Sequence, residues 1–447
     1  MEFTEEQNNA FQQYLNKENI FITGPGGSGK SMFIKKLVKH ADKNGIKLDV
    51  CALTGCAAIL LECGAKTIHS WGGLGLAKGD INSIVNTITG NKYKKKNWKM
   101  VDVLVIDEIS MLSYKLLELI ELVARKTRKN EKIFGGIQVI FCGDFFQLPP
   151  VGNYDEPLSE KFCFESPLFD KIFLNHNKIQ FTKIFRQIDP IYSEILNNIR
   201  IGKINQKHID TLHNCVTKTY DINNDIRPTI IHPLKFPVEK INNNSLDLLD
   251  GEDKLFNIKR EILDNSILTS KQLEQCRSVT EKQIEFEFKK LEGNITGNKF
   301  IKLKIGAQVM CIVNLDLNNK NTPICNGSQG IIQSFHINSG NPIVKFKNGV
   351  IKEIQYHSWI SESIPNVSVS QIPLILAWAV TIHKVQGATI DIAEIDIGSG
   401  VFEYGQSYVA LSRVTDLKGL YLKSFDPSKI KVNPKVQQFY ENMSSIS

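Results

Sequence analysis

The stretch GPGGSGKS, Gly24 to Ser31, follows the apolar run NIFITG (19 to 24) and opens a helix-like segment, SMFIKKLVKH. It fits the spacing G-x-x-x-x-G-K-[ST], in which glycines let backbone N–H groups wrap a phosphate. Lys30 adds positive charge and Ser31 a hydroxyl able to ligate Mg²⁺. With Gly and Lys each near ~7% of residues, a chance match has odds on the order of 2%, and the strand-then-helix setting lowers them further. A second run, VLVIDEIS (103 to 110), puts Asp107 and Glu108 at a strand tip, where phosphoryl chemistry needs one carboxylate for Mg²⁺ and one base for an attacking water. We assign Asp107 to the metal and Glu108 to the water.

A third run ends in FCGDFFQLPP (141 to 150), which leaves Asp144 and Gln147 just past an apolar strand closed by Pro149 and Pro150. In a parallel sheet, the strand beside the Asp107 strand ends next to bound phosphates. A neutral Gln147 amide there can bond a γ-phosphate or orient water without cancelling the lysine's charge. Arg186 in FTKIFRQ and Arg413 in YVALSRV lie outside these motifs. They could reach a triphosphate in a cleft between lobes as arginine fingers, worth ~10³ to 10⁵ in rate, although most arginines are surface residues and spacing alone does not single out either. Each of these residues has an ordinary reading as a turn cap, strand end or surface charge, and the P-loop upstream tips the balance.

LTGCAA (53 to 58), KTIHSW (66 to 71) and TIHKVQG (381 to 387) carry small polar residues at other strand ends. Thr and backbone N–H groups can hold nucleic-acid phosphates, while His69, Trp71 and His383 can stack on or bond to bases and sugars. Singly, each is an ordinary packing residue. The basic run NKYKKKNWK (91 to 99) is usually a solvated loop, less often a nuclear signal or a nucleic-acid patch.

The elements that must hold these groups alternate between strand-like and helix-like patterns, as in a parallel sheet covered by helices. NIFITG, KLDVCALT (47 to 54), VDVLVIDE (101 to 108) and GIQVIFCGD (136 to 144) end in Gly, Thr or acids, so functional groups collect at strand C-termini. KLLELIELVARKTRKN (115 to 130) has Leu116, Leu119, Ile120 and Val123 at helical spacing. RPTIIHP (227 to 233), PLILAWAVTIHK (373 to 384), AEIDIG (393 to 398), QSYVALSRV (406 to 414) and GLYLKSF (419 to 425) read as similar units of a second lobe. Asn-Gly pairs at 326 to 327 and 348 to 349 signal hairpins in a β-rich insertion. The expected fold class is α/β: two P-loop lobes with parallel sheets plus a small β-barrel inserted in the second. Residues 1–175 form the first lobe, with a small wedge insertion near 75–100. The second lobe takes 176–245 and 365–447, interrupted by a helical and β-barrel subdomain over 246–364.

The 447 residues carry 54 Lys+Arg against 47 Asp+Glu, a net charge of +7 that mildly favours an anionic partner. At 42% hydrophobic and 23% charged, the composition is that of an ordinary globular chain. The 9 cysteines are odd in number and form no Cys-x-x-Cys pair, which argues against a disulfide framework or zinc site and for a reducing, intracellular compartment. MEFTEEQNNA is too acidic and polar for a targeting peptide, and without an apolar run of about 18 residues no membrane span is expected.

Together the motifs resemble the PIF (petite integration frequency) family of superfamily-one DNA helicases over nearly the whole chain. The run Asp107 to Val151 is especially close, and FTEEQ (3 to 7), FRQ (185 to 187), LKIGAQVMCIVN (303 to 314), NGSQG (326 to 330), LAWAVTIHKVQGATID (376 to 391) and GQSYVALSR (405 to 413) follow in order. The resemblance implies RecA-like lobes, a Src-homology-three-like barrel, and an ATP- and Mg²⁺-dependent motor that moves 5′ to 3′ on single-stranded DNA and unwinds duplexes in replication, repair or recombination. It implies that Gln7 contacts adenine, and that Gly24, Gly26, Gly27, Ser28, Gly29, Lys30 and Ser31 hold the phosphates. Ser31 and Asp107 would hold Mg²⁺ and Glu108 the water, Gln147 would sense the γ-phosphate, and Arg186 and Arg413 would be fingers from the second lobe. Gly387 and Thr389 would couple nucleotide state to DNA grip, while Thr54, Gly55, Thr67, His69, Thr381 and His383 would contact DNA. Single-stranded DNA and its junctions with duplex are the expected partners, bound by a monomer able to dimerise on DNA. A DNA-stimulated translocase that strips proteins without unwinding carries the same motifs. A small-molecule phosphotransferase would need neither the second lobe nor stimulation by DNA.

Overall fold

β1 (Ile20–Thr23), β4 (Val103–Asp107) and β5 (Gln138–Cys142) are buried at every residue. That explains their continuous apolar runs, since a sheet covered on both faces has no wet side to alternate with. In the computed structural model they join β2 (Leu48–Ala52), β3 (Lys66–Thr67) and β6 (Lys178–Gln180) in a parallel sheet of order β3-β2-β4-β5-β1-β6. The structure describes residues 3–444 except 76, 154, 188, 221–225, 265, 267, 269–271, 274–275, 277–278, 295–299, 316–323, 362–363, 383, 386, 399–400 and 402, and the side chains of 56, 59 and 290.

Alternate residues of each strand feed opposite faces. Ile20, Ile22, Val103, Val105 and Ile140 pack with Ala10 and Tyr14 of α1 (Glu5–Leu15) and with Phe33, Ile34 and Leu37 of α2 (Lys30–Lys43). Phe21, Leu104, Ile106, Val139 and Phe141 pack on the other side with α7 (Tyr114–Arg128). Ser113 caps α7 by accepting from Leu116 N at 3.2 Å. Its predicted stripe, Leu116, Leu119, Ile120 and Val123, is wholly buried. α3 (Gly55–Leu60) lies between β2 and β3, and between β3 and β4 come α4 (Ile68–Trp71), α5 (Ile81–Gly90) and α6 (Lys96–Met100). The last two occupy the predicted insertion and pack on α7. Arg128 of α7 donates to the carbonyls of Trp98 and Val101 at 3.1 and 3.0 Å. The basic run ends in α6, with Tyr93 exposed and Trp98 buried against Trp71.

The chain divides into two compact units. The first comprises Met1–Asp210, Val401–Ser412 and Asp426–Ser447, and the second Thr211–Gly400 with Arg413–Phe425. The expected boundary at 175 therefore falls too early, because β6 adds to β1 (Ile22 opposite Ile179) as an edge strand of the first sheet. QSYVALSRV opens with a helix over Gln406–Leu411 rather than a strand; that helix belongs to the first unit, while Arg413 and Val414 fall in the second. So short an apolar run has no periodicity to separate the two conformations.

Within the second unit, Ala379–Thr381, Thr229–His232, Ala393–Ile397 and Leu420–Phe425 form a parallel sheet in that order. An antiparallel sheet runs Ile351–Glu353, Pro342–Phe346, Gln329–Phe335, Gln308–Cys311, Leu374–Leu376. The Asn348–Gly349 pair makes the expected hairpin, with Gly349 at φ +86° and Phe346 N donating to Val350 O at 2.8 Å. These β-rich strands continue past 364, where the insertion was expected to end. No helix among the described residues is long and apolar enough to cross a membrane.

Candidate nucleotide-binding site

The loop Gly24–Gly29 leaves the C-terminal end of β1, between β5 and the edge strand β6, and turns directly into α2, where parallel sheets collect ligands. Gly27 lies at φ +84°, and a Cβ there would come within 2.5 Å of Arg186 Cβ. The loop is thus closed over by the chain segment after β6, and only glycine fits. Lys30 Nζ donates to Gly24 O at 2.7 Å and Pro25 O at 3.0 Å. Burial lowers the Lys30 pKa, against the raising pull of Asp144, Glu108 and Asp107. Ser28 is buried and Ser31 is exposed on the first turn of α2. Gln7, third in α1 and held by a reciprocal capping box with Thr4, puts its Nε2 3.0 Å from where a Gly29 Cβ would lie.

Asp107 ends β4, and β5 stands between β4 and β1, as the strand-tip argument required. Burial, reinforced by Glu108, pushes the Asp107 carboxyl up to about 7. Glu108 sits in the left-handed region at φ 56°, ψ 42°. Hard oxygen donors of this kind, the Asp107 carboxylate and the Ser31 hydroxyl, suit Mg²⁺. A divalent cation would offset the charge that burial disfavours on Asp107.

Asp144 is fully buried and held by Arg200, which donates from Nε and Nη2 at 2.8 Å each. It is committed to an ion pair rather than turned to a ligand. Arg200 closes the helix Pro190–Arg200 and stacks on Phe146, its Cζ 4.6 Å from the ring centre. Phe145 and Phe146, open alternatives for packing or a nucleic-acid face, are both buried: Phe145 packs against Phe164 and Phe439, and Phe146 stacks on Tyr440. Gln147 is 6% exposed, and its carbonyl lies 2.8 Å from the Cβ position of Gly405, at φ +75°. That glycine lets residues 405–412 pass against the glutamine loop. From the helix they begin, Tyr408 Oη accepts from Gly26 N at 2.8 Å.

Arg186 belongs to the first unit, not to a second lobe, and donates to Ser412 O at 3.3 Å. Arg413 is in the second unit, 2% exposed, donating to Val385 O at 3.5 Å. Thr54 accepts from Ala57 N at 3.2 Å beside Gly55, and Thr67 caps α4 by accepting from Ser70 N. Burial lowers the half-buried His69 imidazole, and Trp71 is buried with its indole N–H on Asp49. In the second unit Thr381 ends its strand and accepts from Lys384 N at 3.3 Å. With Lys235, Lys302 and Lys384 it lines a cavity of about 420 Å³. Gly387 is exposed at φ +82°, two residues before Thr389. His383 lies outside the described residues.

Sequence reasoning missed Arg200, Tyr408 and Tyr440. Arg200 left a readable trace, since it continues the Tyr192, Leu196 register of a buried stripe. A charge there must be paired.

A parallel sheet with a P-loop on one interior strand and an acidic pair at the tip of another defines a P-loop nucleotide-binding protein with RecA-like lobes. The chain belongs to the PIF1-like helicases: that family's model matches residues 2–210, and that of the DNA helicase Pif1 2B domain matches 287–335. It is 34% identical to the ATP-dependent DNA helicase PIF1 of Xenopus laevis, over 98% of this chain and 64% of that protein. It thus spans less than two thirds of the length of such curated relatives. The crystal structure of Pif1 helicase from Candida albicans is similar over 99% of this chain and 100% of that one, at 30% identity and a TM-score of 0.74. Pif1 helicase from Bacteroides, in complex with ADP-AlF3 and single-stranded DNA, is similar at 28% identity over 100% of this chain and 98% of that one, with a TM-score of 0.64.

Proposed function

We propose that this chain is an ATP-dependent DNA helicase that translocates 5′ to 3′ on single-stranded DNA. The observation that carries it is the gathering of Lys30, Asp107 and Glu108 at one end of a parallel sheet in a chain of this family. Bound Mg²⁺-ATP supplies the γ-phosphoryl group whose transfer to water releases the free energy. Gln7 reads the base, and the Gly24–Gly29 amides and Lys30 bind the phosphates, the lysine exchanging its loop carbonyls for phosphate oxygens. Ser31 and Asp107 are the residues that would hold Mg²⁺, and Glu108 takes the proton of the attacking water. Arg186, already over the loop, neutralises developing charge, and Arg413 is a candidate for the same task. Thr54, Thr67 and His69 are the DNA contacts of the first unit and the lysine-lined cavity at Thr381 is that of the second, with single strands and junctions as partners.

The decisive experiment is ATP-dependent strand displacement on paired 5′-tailed and 3′-tailed duplexes. Unwinding of the 5′-tailed substrate alone is expected, and ATPase activity indifferent to single-stranded DNA would overturn the reading. Glu108→Gln is expected to slow hydrolysis by about 10²-fold while ATP stays bound, which single-turnover chemical quench measures. Gln147→Ala should keep ATP binding yet lose unwinding per ATP hydrolysed. A mutant that unwinds at the normal rate would return Gln147 to a turn-packing role.

A further inference from the structure

We infer that Tyr440 is a positioning residue for nucleotide hydrolysis, its hydroxyl locking the strand that carries the P-loop to the strand that carries the glutamine loop. The inference rests on the ATPase reading above. The chain returns to the first unit at residue 426, after the last strand of the second unit, and forms the helix Pro434–Ser444. From that helix Tyr440 reaches the C-terminal end of the first sheet, where it is 7% exposed. Its Oη lies 2.6 Å from Thr23 Oγ1, the last side chain before Gly24, accepts from Phe145 N at 3.2 Å and donates to Asp144 Oδ1 at 3.4 Å. One hydroxyl therefore touches the ends of both β1 and β5. The ring is fixed independently, stacked on Phe146 at 4.6 Å and 11° and edge-on to Phe439 at 5.3 Å. Losing the oxygen alone keeps the apolar packing while unlinking the two strand ends.

β1 and β5 pair only as far as Ile22 opposite Cys142, so the loops that follow share no ladder hydrogen bond in this register. Gly143 N donates to Ile22 O at 3.0 Å as the last bond of that ladder, and past it the Tyr440 hydroxyl bonds both Thr23 and Phe145. Together with the Tyr408 contact to Gly26 N, it ties the P-loop end to the glutamine loop. Hydrolysis, more than binding, needs the spacing of those loops held to a fraction of an ångström, because small misplacements cost rate steeply.

Tyr440→Phe is expected to lower the ssDNA-stimulated kcat for ATP about tenfold, with KM for ATP and affinity for a fluorescent ADP analogue essentially unchanged. Thr23→Val breaks the link from the strand side and should reproduce the loss. The double variant should be no slower than either single one, as for two groups acting through one contact. A Tyr440→Phe protein with wild-type kcat overturns the inference, as does a loss confined to temperatures near its unfolding transition. If Tyr440→Phe does not fold, Thr23→Val decides by the same criteria. A wild-type chain without ssDNA-stimulated ATPase activity would instead overturn the helicase reading.

Discussion

Lys30→Ala is expected to lower ATP turnover by on the order of 10³-fold or more while leaving affinity for single-stranded DNA close to that of the wild type. The ammonium is the one cation at the head of α2 that the P-loop itself holds, clasped by Gly24 O and Pro25 O. Without it the phosphates keep backbone N–H donors but lose the full charge that must grow in influence as the γ-phosphoryl group departs. Lys30→Arg should not restore turnover, because the forked, planar guanidinium cannot occupy the volume of a compact ammonium between two carbonyls. The residues proposed to touch DNA, from Thr54 to His69, lie on other strand ends, so filter binding of an oligonucleotide should change little. Steady-state ATPase assays and DNA binding on the same preparation check both halves. An alanine variant within tenfold of wild-type turnover would remove Lys30 from the phosphates.

Arg200→Ala is expected to destabilise the first unit by about 3–5 kcal/mol. The loss comes less from the missing bridge than from the carboxylate left behind: Asp144 is 0% exposed, and its remaining donors are Phe146 N at 3.2 Å and Tyr440 Oη at 3.4 Å. Burial disfavours the Arg200 charge, but the Asp144 carboxylate outweighs it and raises the guanidinium above its ordinary range. Replacing both partners with apolar residues of similar volume should recover much of the stability, since no unpaired ion then stays inside. Urea denaturation of the wild type, the single variant and the Asp144→Leu, Arg200→Met pair separates these outcomes. A single variant within ~1 kcal/mol of wild type would mean that water reaches Asp144.

The groups legible in the sequence are those where chemistry sits at the end of a buried strand. Lys30, Asp107 and Gln147 follow runs with no alternation, and β1, β4 and β5 are the fully buried strands of the sheet. Position along the chain and position at the sheet end coincide there. Asp144 received no role from the sequence, because its partner lies at position 200 on another helix. Tyr408 and Tyr440 were out of reach for a plainer reason. Each touches the P-loop region across several hundred residues, after the chain has left the first unit and come back, and no local periodicity encodes such a return. Arg186 falls in the first unit rather than a second lobe, because a three-residue edge strand at 178–180 is too short to register as a pattern.

The backbone of Glu108 sets stability against turnover. A non-glycine residue in the left-handed region, at φ 56°, carries a penalty of about 1 kcal/mol, which glycine at that position would relieve. The same exchange deletes the carboxylate proposed to activate water. A screen for heat resistance alone would thus enrich Glu108→Gly and collect sturdier, idle proteins, whereas selection for a working motor must keep the strained residue and find its robustness elsewhere in the chain.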